Sequence, residues 1–270
     1  MDPLRIAVVG PGRAGGAVAL RAIAAGHRVE AVVPGPSGSV PAELVDSVQV
    51  VVDGPLPPVD LVIVAVPDDV IAEVAGHLAN RLTLSGGAIV IHLSGLTSIE
   101  VLAPLEARGC LTGGLHPLMT LPSPRTGSMA LEGAPAGVSG SSDDAVARIM
   151  DFATTLGMRP FELDDRMRAL YHAAASVAAN MVTAVLGVSF DLFAAAGIDP
   201  AVSRPLVERA VANCFDLGPG PALTGPVSRG DVGTVALQRA AVAGLGPGIA
   251  AEFDSLLDLV RGRASGGASA

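Results

Sequence analysis

The chain contains no lysine; all 17 of its basic residues are arginine. That absence removes a Schiff-base lysine, a P-loop lysine and a lysine general acid from any mechanism. Aromatic residues are only 3% of the sequence, no run of basic residues occurs, and the formal net charge is -9. A chain so acidic and so poor in stacking side chains is unsuited to neutralising phosphate backbones, so no nucleic-acid partner is expected. The two cysteines, Cys110 and Cys214, lie far apart. They form neither a disulfide framework nor a paired ligand spacing, so no metal site is expected and a cytoplasmic compartment is the simplest. The first residues run straight into a strand-like segment, with no basic stretch followed by an apolar one and a cleavage site, so no export signal is expected. Residues 173–190 are apolar enough to raise a membrane span. Asn180 interrupts them and His172 and Asp191 bracket them, so the stretch reads as a buried core helix and no membrane partner is expected.

What is present is small and aliphatic. Half of the 270 residues are hydrophobic, and at about 150 residues per domain the length suggests two domains. Residues 5–9 form a short apolar run ending at Gly10, 17–25 read as a helix stopped by Gly26, and 29–33 form a second run ending at Pro34. Strand, glycine-rich turn, helix and strand make one βαβ unit with parallel strands. Further Val/Ile/Leu runs at 48–52, 61–66 and 88–93 lack strict alternation, as strands covered on both faces do, and 70–78 supplies a connecting helix. After Gly113 the signals weaken into a proline-rich loop around 117–124. A strand at 136–139, a helix near 143–156 and a run at 159–163 then extend the sheet. From Asp165 strand signals fade, and helical stretches appear at 166–196, 200–216, 232–243 and 247–262. The predicted fold is α/β: a Rossmann-type, doubly wound, mostly parallel sheet over 1–163, a smaller all-α domain over 164–263 and a disordered tail over 264–270.

Gly10-Pro11-Gly12-Arg13-Ala14-Gly15 fits G-x-G-x-x-G, in which the first glycine permits the turn, the second admits a pyrophosphate and the third lets helix and strand approach. Its place at the end of a strand, opening a helix whose amides face an anion, strengthens the match. Val66 and Pro67 end the fourth run and belong to the same cofactor surface. NAD-selective folds place Asp or Glu at the end of the second strand, where this chain has Val33 or Pro34; Glu30 falls roughly 10 Å too early at about 3.3 Å per residue. Arg13, Ser37 and Ser39 are available to a 2′-phosphate, which favours NADP(H) over NAD(H), although all three also read as ordinary loop residues.

Ser94 and Gly95 follow a strand beyond the switch point, where open α/β sheets bind ligands; Ser94 either touches nicotinamide or substrate, or caps the next helix. His172, Ser176, Asn180, Thr183 and Gly187 fall within about 80° of one face of an apolar helix. Such a stripe either satisfies itself in the helical core or lines a cleft holding a small-molecule substrate. Carbonyl reduction needs a proton donor, and without lysine the candidates are His172 and His116, with Asn180 as a hydrogen-bond donor to the same oxygen. His27 and His77 read as surface residues. Arg229 suits a substrate carboxylate, with Asp231 beside it, unless the two merely pair and cap the following helix.

The fingerprint, Ala65-Val66-Pro67-Asp68, His92-Leu93-Ser94-Gly95, Gly114-Leu115-His116-Pro117, Leu170-Tyr171-His172-Ala173 and Thr224-Gly225-Pro226-Val227-Ser228-Arg229-Gly230-Asp231 together resemble the Rossmann-like proteins carrying a DUF2520 helical domain. These are similar in layout to ketopantoate reductases, β-hydroxyacid dehydrogenases and pyrroline-carboxylate reductases. The resemblance implies an NADP(H)-dependent reductase of a small 2-oxo acid, such as ketopantoate reduced to pantoate on the way to coenzyme A. Related dehydrogenases carry a helix lysine four residues before an asparagine; here Ser176 precedes Asn180, and His172 one turn earlier stands as the substitute. A non-catalytic dinucleotide-binding regulator and a reductase of a cyclic imine or deazaflavin are the alternatives. The apolar helices of the second domain suit a homodimer interface.

Overall fold

The computed structural model describes residues 2–35, 38–52, 54–81 and 87–266. The chain divides into two units, Met1–Ser176 and Val177–Ala270. In the first, β1 (Arg5–Val9), α1 (Arg13–Ala24) and β2 (Arg28–Val33) form the opening βαβ unit. There follow α2 (Ala42–Val45), β3 (Gln49–Val50), β4 (Leu61–Val64), α3 (Ile71–Arg81), β5 (Ile89–His92), α4 (Ala103–Glu106) and β6 (Leu111–Pro117). Then come α5 (Pro124–Ala130), β7 (Pro135–Gly140), α6 (Asp143–Thr155), β8 (Arg159–Glu162) and α7 (Arg168–Ser176). The eight strands lie in the order β3-β2-β1-β4-β5-β6-β7-β8. Among the described residues, β6 and β7 pair antiparallel and the other neighbours in the sheet pair parallel. The chain winds outward one way from β1 and then returns to place β4 on the other side, which opens a crevice at the carboxyl ends of β1 and β4.

Successive strand residues feed opposite cores. Ile6, Val8, Leu61 and Ile63 join the cluster that includes α1 and α6, while Ala7, Val9, Val62 and Val64 join the one that includes α3. Each fully buried valine, leucine or isoleucine contributes about 1.5–3 kcal/mol relative to exposure, which is why these strands read as unbroken apolar runs.

Strand β6 departs from the sequence expectation of a fading signal after Gly113. Its two glycines are places where other side chains sit. A Cβ at Gly113 would lie 2.4 Å from Ile149 Cδ1, and one at Gly114 would lie 2.1 Å from Arg168 Nη2. The expected loop at 117–124 ends in a short helix, α5, because Ser123 caps it by accepting the Thr126 N–H. His27, expected at the surface, is buried. Its Nδ1 accepts the Leu4 N–H at 3.0 Å and its Nε2 lies 2.7 Å from Thr155 Oγ1. Burial holds its pKa below the ordinary value.

The second unit opens with a π turn (Val177–Met181) and continues with α8 (Val182–Ala195), α9 (Arg204–Leu217), α10 (Val232–Ala243) and α11 (Pro247–Gly266). Helix α11 runs to Gly266, past the expected start of the disordered tail; residues 267–270 of that tail lie outside the described residues. Two expectations fail here. No residue between 173 and 190 is buried, so the stretch is not a buried core helix of the single chain. The helical segment Asp165–Ala195 is also long and apolar enough to cross a membrane, with mean hydropathy 1.7. Asn180, moreover, lies in the π turn, where side chains do not recur every 3.6 residues, so the even spacing expected of the polar stripe does not run through it.

Candidate active site

The carboxyl ends of β1, β2 and β4 enclose a groove of about 1130 Å³. Gly10 turns the chain out of β1 at φ +83, and a Cβ there would meet Ala65 O at 2.6 Å. Gly15 lets α1 approach, since a Cβ would lie 2.2 Å from Gly10 O. Gly12 differs from both, having nothing within 4 Å of the place its Cβ would occupy. The Gly12 N–H donates to Gly10 O and the Gly16 N–H to Gly12 O. The amides of Arg13, Ala14 and Gly15 begin α1 and have no intrahelical acceptor. A cradle open over Gly12, with three free amides at a helix N-terminus, fits a dinucleotide pyrophosphate.

Of the cofactor residues expected from sequence, Gly10, Pro11, Gly12, Arg13, Ser39, Val66 and Pro67 line this groove. Ala14 and Gly15 stand behind it in α1, and Ser37 lies outside the described residues. Val33 ends β2 with Glu30 three residues upstream, so no carboxylate occupies the strand end. Glu43, on the groove wall, is a carboxylate the sequence reading passed over, because nothing in the strand-helix pattern marks α2 as part of the site.

Beyond the switch point, β5 and β6 bring a second cluster together within the first unit. The Ser94 hydroxyl accepts the N–H groups of Leu96 at 3.1 Å and Thr97 at 2.9 Å, so it holds the turn after β5. Gly95 lies under His116, where a Cβ would come 2.8 Å from Nε2. His116 and His172, the two proton-donor candidates, meet here with ring centroids 6.2 Å apart. Sequence reasoning missed Tyr171, whose hydroxyl lies 2.8 Å from His116 Nδ1. It stands between the two histidines in the chain only by way of α7, a proximity no motif spacing announces.

Arg168 was missed as well. Its side chain is 1% exposed, and its Nε donates to Asp165 Oδ1 at 2.6 Å. Its Nη1 donates to Ser94 O at 2.8 Å, and Nη2 has no hydrogen-bond partner among the described residues. Asp165 also accepts the Ser98 hydroxyl at 2.5 Å and the Ile99 N–H at 3.1 Å. Burial pushes its pKa up, but these hydrogen bonds prevail and hold it below the ordinary value. Neither ring nitrogen of the fully buried His92 has a hydrogen-bond partner among the described residues. Burial, with Arg168 adding to it, lowers His92 to about 4. Burial, then the charges of His172 and Arg168, lowers His116 also to about 4. The imidazoles of His92 and His116 are therefore neutral at neutral pH, beside the buried cation of Arg168.

The remaining candidates divide between the units. Ser176 closes α7, whereas Asn180 lies exposed in the π turn of the second unit. Arg229 is exposed and donates to Thr224 O. Asp231 caps α10 by accepting the Thr234 N–H at 3.0 Å, the helix-capping alternative for that residue. No group of His, Cys, Asp or Glu suited to a metal occurs among the described residues.

Residues 2–117 match the Rossmann-like domain family, and residues 134–258 match DUF2520, a domain of unknown function. No curated protein matches the chain. Among solved structures, a candidate NADP oxidoreductase from Bacteroides fragilis is 21% identical with a TM-score of 0.82, over 96% of this chain and 98% of that one. A reductive aminase from Aspergillus terreus, in complex with NADPH4, cyclohexanone and allyl amine, is 16% identical with a TM-score of 0.65, over 97% and 96%. A 1-pyrroline-5-carboxylate reductase from Streptococcus pyogenes is 14% identical with a TM-score of 0.62, over 97% and 100%.

Proposed function

Since the chain carries a Rossmann-like domain followed by a DUF2520 domain, we propose that it is an NADP(H)-dependent reductase of a small carbonyl compound. The observation that carries this reading is the cradle at Gly12, where free helix amides face open space at the switch point of the sheet. Arg13, and the absence of a carboxylate at the end of β2, support NADP(H) over NAD(H), with Glu43 and Glu73 the carboxylates on the wall that act against a 2′-phosphate. When bound, the dinucleotide supplies hydride. The chain itself supplies orientation through the Ser94 turn and proton donation through His116 or His172 at the ends of β5, β6 and α7.

The first substrate class is a 2-oxo acid, ketopantoate included, with Arg229 taking the carboxylate. A cyclic imine is the second reading, favoured by the likeness in fold to a pyrroline-5-carboxylate reductase. NADPH oxidation by purified protein over a panel of both classes decides between them. Turnover of an oxo acid, with the KM raised roughly tenfold or more in Arg229→Ala by loss of a charge-assisted bond, fits the first. Turnover confined to imines, indifferent to Arg229, selects the second. Binding of NADPH with no turnover of either class leaves a non-catalytic module.

The same reading takes the working form to be a homodimer joined through the second unit. Phe215 is 88% exposed, Val232 77% and Leu206 68%, large apolar side chains of α9 and α10 that a subunit interface would cover. Light scattering after size exclusion is expected to give twice the chain mass, and Leu206→Glu with Phe215→Glu a monomer. A monodisperse wild-type monomer at micromolar concentration would sink this assignment.

A further inference from the structure

The proton-donor candidates are held by something the proposed reduction does not itself require. His116 leaves β6 with its Nδ1 against the hydroxyl of Tyr171 at 2.8 Å, the rings meeting edge to face at 5.5 Å. Its other nitrogen, Nε2, lies at the Gly95 turn, with no hydrogen-bond partner among the described residues. A neutral imidazole carries one proton, so the partner of Nδ1 decides whether Nε2 donates or accepts. Of the two groups in contact, the phenol, with an ordinary pKa of about 10, is the stronger acid and the imidazole nitrogen the stronger base. Among the described residues, Nδ1 is the group within reach that the Tyr171 O–H could donate to, and a half-buried O–H without an acceptor would be costly. Phe161, 6.1 Å away ring to ring, and Gly137, whose absent side chain leaves the hydroxyl its room, fix the phenol in place.

We propose that Tyr171 is a positioning residue that donates its O–H to His116 Nδ1, fixes the Nε2–H tautomer and so makes His116, at the Gly95 turn, the group that protonates the reduced substrate. This deepens, and rests on, the reductase reading above. As the carbonyl carbon is reduced and the dinucleotide oxidised, the substrate oxygen gains negative charge. The Nε2–H bond of His116 breaks as the O–H bond of the alcohol forms. Nδ1 takes the Tyr171 proton in the same event, leaving a phenolate; the cycle closes when solvent returns a proton to Nε2 and the Nδ1 proton goes back to the Tyr171 oxygen. Arg168 makes this exchange easier. Burial holds the Tyr171 pKa above its ordinary value, and the buried guanidinium offsets part of that rise. Burial, with the charges of His172 and Arg168, also keeps His116 from acting as a preformed cation, so a proton must reach it from a neighbour.

The test is Tyr171→Phe, which keeps the ring and removes one oxygen. Heteronuclear NMR of protein labelled at the histidine nitrogens, at neutral pH, is expected to show His116 neutral with the proton on Nε2, and in the variant a mixture of tautomers. In the reduction assay kcat is expected to fall roughly 100-fold, as for loss of general acid catalysis, with KM and NADPH affinity little changed. A wild-type His116 protonated on Nδ1, or a tautomer unmoved by the substitution, overturns the proposal whatever the assay gives. A wild-type protein that reduces nothing defeats the reductase reading while the spectra still decide the pair.

Discussion

Gly12→Ala is expected to leave the protein folded and weaken NADPH binding by at least roughly 100-fold. The reason lies in what surrounds each glycine of the fingerprint. A methyl group at Gly10 or Gly15 runs into protein, 2.6 Å from Ala65 O or 2.2 Å from Gly10 O, and at Gly10 it also demands a left-handed backbone. One at Gly12 meets no protein atom within 4 Å, so it intrudes only on whatever occupies the groove. Lifting a pyrophosphate off two amides forfeits about 1.5–3 kcal/mol per charge-assisted bond, and every 1.4 kcal/mol is about tenfold in affinity. Titration of NADPH fluorescence, with thermal melting as the control, checks this. Unchanged affinity in Gly12→Ala, or a melting temperature that collapses with it as in Gly10→Ala, removes the groove from consideration as the cofactor site.

The second large effect concerns Gly114. A Cβ there would stand 2.1 Å from Arg168 Nη2 and 3.0 Å from its guanidinium carbon, so Gly114→Ala must expel a buried cation from its place between Asp165 and the Ser94 carbonyl. Breaking a buried pair of this kind costs about 3–5 kcal/mol. In a chain of this size that lowers Tm by roughly 6–20 °C, at about 2–4 °C per kcal/mol. Gly137→Ala in β7 is the control, since its Cβ would meet side-chain atoms at 3.3 Å and beyond. Adding Arg168→Ala to Gly114→Ala is expected to recover part of the loss, because the two substitutions share one clash. A double variant whose destabilisation equals the sum of the singles means that the guanidinium does not occupy the space the glycine leaves.

Both predictions show where the sequence was legible. The fingerprint could be read because a glycine-rich turn between an apolar strand and a small-residue helix is local: its chemistry is complete within residues 10–15. Strand β6 and the Arg168 cluster could not be read in the same way. Gly113 and Gly114 look like loop residues until Ile149 and Arg168 are seen filling the volume their side chains would take. Tyr171 and His116 are 55 positions apart, and nothing in either neighbourhood reports the other. The even spacing of the expected polar stripe was misleading for a related reason. Its 100° spacing holds only while each turn has 3.6 residues, and the π turn at Val177–Met181 breaks the count.

The sequence by itself determined the parallel α/β layering, the position of the phosphate-binding turn and the lack of a carboxylate at the end of β2, since each follows from residues adjacent in the chain. Only the tertiary structure decided which histidine meets the tyrosine, where the buried Arg168 lies and what fills the space beside Gly114. Those depend on side chains brought together from distant elements, and on how little room a close-packed interior leaves.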